Sequence, residues 1–179
     1  NIVLLAITAA LRARPDGADK TVAQYLASPD ARIRADAANT LSRIRAKNAN
    51  PELRRMLAND RDPIARANAA RALGAAEDKE AVTVLTEAAV KDLDSRVRVS
   101  AIRSLGTIRD QKSVDPLLGH GEKLLRQSAE SKSRISAEQN ELIEIAMVLG
   151  RLLANTKNAR ALELLKLAMN GNPDSSELA

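Results

Sequence analysis

The sequence predicts an all-α fold, a right-handed α-solenoid of stacked antiparallel helix hairpins. The first observation is a segment of fifteen residues that recurs every 32 residues, as DARIRADAANTLSRI (30–44), DPIARANAARALGAA (62–76) and DSRVRVSAIRSLGTI (94–108). The second is that the chain lacks the alternation of apolar and polar residues that is typical of strands. The third is that Tyr25 is the only aromatic residue, whereas a compact single core relies on large aromatic side chains. A helical period of this length indicates a solenoid.

Four positions match in every copy of this segment. An Asp opens each copy, an Arg follows four residues later, an Ala three residues after the Arg, and a Leu four residues after the Ala. In the third copy Val97, Ala101, Leu105 and Ile108 form one helical stripe, which we expect to face the partner helix and the next repeat. A small residue follows each Leu and is expected to tolerate a close neighbour; these residues are Ser42, Gly74 and Gly106.

Shorter helical segments precede the three copies, namely DKTVAQYLA (19–27), PELRRMLAN (51–59) and KEAVTVLTEAAVKDL (79–93). In the last of them Val82, Leu85, Ala89 and Leu93 recur at three- and four-residue steps and predict one helical face. Clusters of Pro, Gly, Asn and Asp separate the segments and predict turns. Each repeat is therefore expected to be a helix, a tight turn and a second helix.

A single domain over residues 1–179 is the expected organisation. Its predicted units are a helix of a preceding repeat (1–14), three regular repeats (18–45, 50–75 and 79–108), a repeat with an insertion (112–154) and a capping helix (158–170). The apolar run NIVLLAITAAL at the amino end is too short to span a bilayer and lacks the cationic start of a signal peptide. We interpret it as the second helix of an earlier repeat in a longer protein, located in the cytoplasm or, alternatively, the periplasm.

This pattern resembles the HEAT repeats, in particular the short bacterial kind found in phycobilin lyases, most strongly over residues 19–118. The resemblance implies a ladder in which the Asp and Arg of each repeat bond neighbouring turns and each other. Its members here would be Asp30, Arg34, Asp62, Arg66, Asp94 and Arg98. Physical chemistry agrees, because an Asp before a helix caps free N–H groups and an Arg has five donors with which to join two layers. We interpret these residues as structural rather than as a catalytic or ligand site.

The period breaks after Leu118. The next Leu-Gly pair follows the previous one by 44 residues, 12 more than the period of 32. The Asp and Arg positions of the ladder become Glu138 and Leu142, so we expect the ladder to stop here. The extra residues, within 119–137, are predicted to form a longer first helix and a polar loop around 128–136.

The region after this break carries three further predictions. A partner-binding role is one interpretation of the loop, and a tolerated surface decoration is the preferred one; its residues are Ser131, Lys132, Ser133 and Arg134. The segments LIEIAMVLGRLLA (142–154) and ARALELLKLAM (159–169) are apolar around their circumference, so we expect them to be buried on several sides as a cap. The tail 170–179 is predicted to be frayed.

The composition of the chain excludes several kinds of catalytic and metal-binding site. The chain has no Cys, which excludes disulfides, thiolate metal sites and cysteine nucleophiles. Its one histidine, His120, lies between two glycines, which predicts a turn with a surface histidine. No nucleophile motif, phosphate-binding loop, dinucleotide fingerprint or metal-ligand spacing is present. We therefore expect no enzymatic activity and no cofactor or metal.

The positive charge lies in the first half of the chain. Residues 1–71 carry 13 Lys and Arg against 7 Asp and Glu, a net +6, whereas residues 72–179 carry 15 against 16, a net −1. On the second helices the stripe opposite the buried one holds the candidate partner-binding residues, which are Arg32, Asn39, Arg43, Arg71, Arg96 and Arg103. Because these helices line the concave side of a HEAT-like stack, we expect several of these side chains to share one surface.

The leading hypothesis is a non-catalytic protein-binding scaffold whose curved surface takes an acidic or helical segment of another protein, with no membrane partner. A basic nucleic-acid-binding module is the first alternative. It is disfavoured by the lack of aromatic residues for base stacking and by nearby Asp36, Asp60 and Asp62. A lyase-type chromophore or assembly factor is implied by the resemblance alone, since no residue matches a bilin site. An auxiliary domain of a larger enzyme is the last alternative.

Overall fold

The computed structural model describes residues 2–130 and 136–170, which form helices and no strand. The helices are α1 (Ile2–Ala13), α2 (Ala18–Ala23), α3 (Ala31–Ile44), α4 (Asn50–Asn59), α5 (Pro63–Ala75), α6 (Val82–Lys91), α7 (Ser95–Ile108), α8 (Val114–Glu130), α9 (Ser136–Leu152) and α10 (Ala159–Asn170). The predicted all-α fold is confirmed. Within the described ranges, every helix is too short or too polar to span a lipid bilayer. The candidate loop residues 131–134 and the tail after residue 170 lie outside them.

The helices form two layers. The inner helices, α3, α5, α7 and α9, pack side by side in sequence, and α1 packs against α3 at one end. The outer helices, α2, α4, α6 and α8, pack on the inner layer but contact one another far less. A groove of about 440 Å³ separates α6 from α8, where Val82, Val90 and Pro116 line it. Because inner neighbours lie closer together than outer neighbours, the stack curves with the inner helices on its concave side.

Small residues set the close spacing of the inner helices. A Cβ atom added at Gly74 would lie 2.8 Å from the Cα of Ser104, and one added at Gly106 would lie 2.7 Å from Cγ2 of Val148. Neither position admits a side chain without displacing the next helix. Ser104 also donates a hydrogen bond of 2.8 Å to the carbonyl of Ala70 in the previous layer. The small residues after two of the repeat leucines, Gly74 and Gly106, therefore have the predicted packing role.

The core consists of small and medium apolar side chains between layers. Leu41, Leu73 and Leu105 are fully buried, and the predicted stripe on α7 is buried along its whole length. The predicted face of α6 was wrong at Leu93, which is 97% exposed. Helix α6 ends at Lys91, so Leu93 lies in the turn, where helical periodicity no longer sets the direction of the side chain.

The Asp that opens each copy of the fifteen-residue segment caps an inner helix. Side-chain oxygens of Asp30, Asp62 and Asp94 accept hydrogen bonds from backbone N–H groups in the first turns of α3, α5 and α7, at 2.9, 2.8 and 2.9 Å. Such caps satisfy donors that a helix start otherwise leaves without partners. The side chain of Asp94 also accepts hydrogen bonds from the Arg96 guanidinium, which lower the pKa of Asp94 from 3.8 to about 2.

The repeat arginines join each turn to the next layer. Nη1 of Arg66 donates to the carbonyls of Asp60 and Arg61, while its Nε and Nη2 donate to both carboxylate oxygens of Asp92 at 2.8 and 2.9 Å. Arg34 forms the same bidentate pair with Asp60, at 2.7 Å for both bonds. Planar two-point pairing of this kind is among the strongest hydrogen bonding available to a side chain.

The carboxylates of this ladder differ from those predicted. Asp30, Asp62 and Asp94 were expected to bond the repeat arginines, but their side chains turn to the N–H groups of their own helices. The arginines instead bond a carboxylate that precedes the cap by two residues, at Asp60 and Asp92. Asp60 and Asp92 also accept hydrogen bonds from the backbone N–H of the capping residue, both at 2.9 Å, and thereby fix the turn.

The ladder also continues past the break in the period, where it was expected to stop. Arg98 donates to the carboxylate of Glu141 through Nε and Nη2, with bonds of 2.8 Å to each oxygen. Glu141 is fully buried within α9, and Nε2 of His120 lies 2.5 Å from its Oε1. Under the 44-residue shift Glu141 occupies the core position of Val97, so an apolar site has become the acceptor of the ladder.

Two partners keep Glu141 charged in the core. Burial favours the neutral acid and acts to raise the pKa of Glu141, but hydrogen bonds from His120 and Arg98 outweigh burial and hold the pKa below its ordinary value. The prediction of a surface histidine in a turn was therefore wrong. His120 is buried in the middle of α8, and Gly121 beside it lets α10 approach, since an added Cβ would lie 3.2 Å from the Leu164 side chain.

The cap expected at the carboxyl end is only partly buried. Ile145, Leu149 and Leu164 lie in the core, as a cap requires. The expectation of burial on several sides was wrong for four large apolar residues, which are Ile143, Met147, Leu162 and Leu167, between 49% and 58% exposed. The layers of the stack cover one side of α9 and α10, and no described residue covers the other.

Leu73→Ala tests the register of the stack. We expect it to lower the free energy of unfolding by about 2–5 kcal/mol, because the deletion leaves a cavity between fully packed layers. Leu93→Ala is the matched control and should cost less than about 0.5 kcal/mol, since Leu93 contributes nothing to the core. Chemical denaturation followed by circular dichroism measures both, and equal losses would contradict the register.

Arg66→Ala tests the ladder. It should lower the free energy of unfolding by about 1–3 kcal/mol, because it leaves a half-buried carboxylate and two turn carbonyls without their donor. Arg55→Ala removes an exposed ion pair with Glu52 within one helix and should cost at most about 0.5 kcal/mol. If the ladder did not stabilise the fold, both variants would show the same small loss in the free energy of unfolding.

Acid should weaken the fold through the capping residue Asp94. Because Asp94 titrates at a lower pH when folded, the unfolded chain binds more protons as the pH falls from about 4 to about 2. The stability that Asp94 contributes is thus complete above pH 4 and is lost as the pH falls through 2. We expect Asp94→Asn to flatten this part of the stability curve, whereas Asp115→Asn, at a side chain 86% exposed, should leave it unchanged.

Candidate partner-binding surface

The inner helices present one face to solvent, here called the inner face. Its positions recur at the same register in each layer, opposite the side that packs on the outer helices. They are 32, 36, 39 and 43 on α3; 64, 68, 71 and 75 on α5; 96, 100, 103 and 107 on α7; and 140, 144, 147 and 151 on α9. The inner face is therefore a grid of four layers by four rows.

All six candidate residues lie on this face. Its charges are six arginines against the carboxylates of Asp36 and Glu144, a net +4; the arginines are Arg32, Arg43, Arg71, Arg96, Arg103 and Arg151. Asn39 is half-buried and the arginines are exposed. Asp60 and Asp62, expected to dilute the positive field, lie at the turn edge of the stack, where Asp60 binds Arg34 and Asp62 caps α5. Asp62 is still close enough to attract Arg96 on the inner face electrostatically.

Hydrogen bonds hold Arg71 in place without cancelling its charge. Arg71 donates to the side-chain oxygen of Asn68, a neutral amide. Asn68 in turn is buried and donates to the carbonyl of Ala35 on the neighbouring helix at 2.7 Å. Arg32 and Arg43 form no ion pair with any residue in the described part of the chain. On this face of α3 and α5, three arginines thus accompany one carboxylate, Asp36, and none of the three is held in an ion pair among the described residues.

On α7 and α9, most of the inner-face arginines form ion pairs with carboxylates. Arg103 forms an ion pair with Glu144 across the two helices, which raises the pKa of Arg103 and lowers that of Glu144. Arg96 pairs with the cap Asp94 at 2.7 Å. The inner-face arginines without an ion pair in the described part of the chain are therefore Arg32 and Arg43 on α3, Arg71 on α5 and Arg151 on α9.

A groove of about 380 Å³ runs between α7 and α9 on this face. It is lined by Ser95, Arg96, Val99, Arg103, Asn140, Ile143 and Glu144. Ile143 and the neighbouring Met147 are the large apolar side chains that α9 leaves exposed here. This end of the inner face was not predicted from the sequence. The signal was present, since the 44-residue shift places Ile143 and Met147 at the positions of Val99 and Arg103.

The chemistry of this surface suits binding. Its side chains are guanidinium groups, amides and apolar groups on rigid helices, a combination typical of protein interfaces. Across the described ranges, no three His, Asp or Glu side chains come together as a potential metal site. The buried titratable cluster of Arg98, His120 and Glu141 bonds layers to one another.

Comparisons with known proteins agree with this architecture. The family model for HEAT repeats matches residues 50–140, just over half of the chain. No curated protein matches the sequence. Among solved structures the chain is similar to the complex of CpcE and CpcF of phycocyanin lyase from Nostoc sp. PCC7120, with a TM-score of 0.60 and 24% identity over 89% of this chain and 68% of that chain. With this family match and the fold above, the chain belongs to the HEAT-repeat family.

Proposed function

We propose that this chain is a non-catalytic scaffold that binds another protein on its inner face. The observation that carries the proposal is the alignment of arginines on successive inner helices, of which Arg32, Arg43 and Arg71 have no carboxylate partner among the described residues. Charges left without local partners are available to an incoming anionic group, and they steer its approach. The partner expected from this arrangement is an acidic segment.

The ladder supports this role by making the surface rigid. Each inner helix is tied to the next through a bidentate pair from Arg34, Arg66 or Arg98, so the spacing of the inner rows is set before a partner arrives. A preformed surface avoids much of the ordering cost that otherwise weakens association. Arginine positions on neighbouring layers then match repeated acidic groups on a partner.

Nucleic acid fits this surface less well than protein does. Duplex binding draws on many phosphate contacts, and a negative or apolar group in the path weakens it. Asp36 and Glu144 lie among the arginines, and Ile143 with Met147 occupies one end of the face. These groups suit a partner with both acidic and apolar side chains.

A lyase-type role is the second candidate function, and the structural likeness to a phycocyanin lyase complex supports it. That structure is a complex of two chains, which also favours work in association with another protein. Titrating the chain with a bilin and recording its absorbance distinguishes the roles. A saturable spectral change lost on alteration of the inner face would favour the lyase-type role, and no change is expected of a scaffold.

The double change Arg71→Glu, Arg103→Glu tests the scaffold proposal. The partner protein for this test is one isolated with this chain in the presence of nuclease. We expect the double change to lower the affinity for that partner by at least about tenfold without unfolding the stack. Arg55→Glu, an exposed charge of an outer helix, is the matched control. Duplex DNA should bind no tighter than about 10⁻⁴ to 10⁻⁶ M in physiological salt.

Two results would contradict this expectation. Nanomolar binding of a labelled duplex, lost in the double variant, would favour the nucleic-acid alternative. Unchanged affinity for the partner protein would place the interface elsewhere on the chain.

A further inference from the structure

We propose that the inner face binds an acidic amphipathic helix of its partner in one fixed direction. An apolar anchor of that helix occupies the groove between α7 and α9, and its acidic turns cross α5 and α3. This inference rests on the proposed scaffold function and specifies the partner. The supporting observation is that exposed apolar side chains lie at the α7 and α9 end of the inner face, whereas arginines without an ion pair lie mainly at the α3 and α5 end.

The apolar surface lies at one end of the inner face. Equivalent positions in the four inner helices hold Ala35 on α3, Ala67 on α5, Val99 on α7 and Ile143 on α9. The side chain at this position therefore becomes larger from one end of the stack to the other. Ile143 is 56% exposed, and Met147 beside it is 49% exposed. Ile143 lines the groove and Met147 lies next to it on α9. A partner that removes these two exposed apolar side chains from water gains free energy in proportion to the apolar area that it covers.

The groove can take an apolar group because its charges are already paired. Arg103 binds Glu144 and Arg96 binds Asp94, so the groove walls hold neutral pairs. Arg151, on the same face, further stabilises the negative charge of Glu144. An apolar anchor placed here therefore meets no isolated charge that would lose its hydration without compensation.

The other end of the inner face, on α3 and α5, is charged rather than apolar. Arg32, Arg43 and Arg71 keep charges that no described carboxylate neutralises, and Asp36 is the one acidic group in these two layers of the face. Acidic side chains of a partner gain attraction here, and apolar side chains would find no large apolar neighbour except Ile64. The two ends therefore select opposite ends of the same ligand.

A helix suits this surface better than an extended peptide. The described part of the chain contains no strand, so an extended peptide finds no sheet edge on which to pair its backbone groups. Polyproline segments need aromatic-lined grooves, and Tyr25 is the only aromatic residue of the chain. A helix satisfies its own backbone and can be buried against the groove without unpaired N–H groups.

The dimensions of the stack set the length of the partner helix. Packed helices lie about 8–10 Å apart, so four inner helices span roughly 24–30 Å. At a rise of 1.5 Å per residue, this distance corresponds to a helix of about 16–20 residues. The ligand we expect thus has two apolar turns followed by about three acidic turns.

A designed peptide tests the groove. The probe is a fluorescein-labelled synthetic helix of about 20 residues, with leucines at i, i+3 and i+4 in two end turns and glutamates on the same face elsewhere. Ile143→Asp, Met147→Asp is the groove variant, and Leu162→Asp, Leu167→Asp is the matched control on equally exposed apolar residues of α10. We expect the groove variant to lose at least about tenfold in affinity by fluorescence anisotropy and the control to bind as the parent chain does.

The direction of binding needs a second measurement. Because the chain has no Cys, Asn39→Cys and Asn140→Cys each provide a single attachment point for an acceptor dye, at opposite ends of the inner face. A donor dye at the apolar end of the peptide should transfer energy more efficiently to position 140 than to position 39. A donor at the acidic end should show the opposite preference.

The outcomes separate this inference from the scaffold proposal. Equal transfer to both positions, an unaffected groove variant, or no binding of the peptide to the parent chain would overturn the inference. If Arg71→Glu, Arg103→Glu still weakened the isolated partner protein, the scaffold proposal would stand without it. Unchanged binding of that partner to both the arginine and the groove variants would overturn both. Circular dichroism of each variant verifies that the stack is folded.

Discussion

The structure depends on one repeated interaction, in which an arginine at the start of α3, α5 and α7 bonds its own turn and a carboxylate of the next layer. Arg66 holds two carbonyls of its turn and both oxygens of Asp92, so a single side chain fixes a loop and the distance to its neighbour. Apolar packing between alanine and leucine side chains tolerates sliding of one layer over another. Directional two-point hydrogen bonds do not, and they give the stack its register.

The same constraint explains the irregular repeat at the carboxyl end. With the 12 extra residues, Ser136 takes the position that Asp60 and Asp92 hold in the earlier repeats, yet the partly buried guanidinium of Arg98 still needs an anionic acceptor. Glu141 provides it from a core position inside α9, and His120 binds the same carboxylate. Breaking such a cluster by removing one partner leaves a buried charge uncompensated, which is far more costly than losing a surface ion pair.

The ladder also accounts for the character of the inner face. In the basic first half, Asp30 and Asp62 serve as caps and Asp60 as a bridge, so these acidic residues lie at the turn edge of the stack. Arg32, Arg43 and Arg71, which do not belong to the ladder, lie on the inner face, where Asp36 is the one carboxylate of α3 and α5. Apolar side chains, in contrast, gather on α9, where Ile143 and Met147 replace smaller or charged residues of earlier layers. The proposed one-directional binding follows from these two distributions together.

The sequence by itself determined the all-α stack, the buried alanine and leucine positions, the capping aspartates and the face that carries the arginines, because each follows from local periodicity and from the chemistry of helix ends. Only the tertiary structure decided which carboxylate each arginine binds, since Asp60 and Asp62 have the same side chain and differ in the direction in which the folded turn points it. Tertiary contacts also buried His120, which a local Gly-His-Gly pattern assigned to a turn, and exposed Ile143 and Met147, which an apolar pattern assigned to a cap. Partners far apart in the chain, such as Arg98 and Glu141, leave no local signal, because their pairing exists only once the layers have stacked.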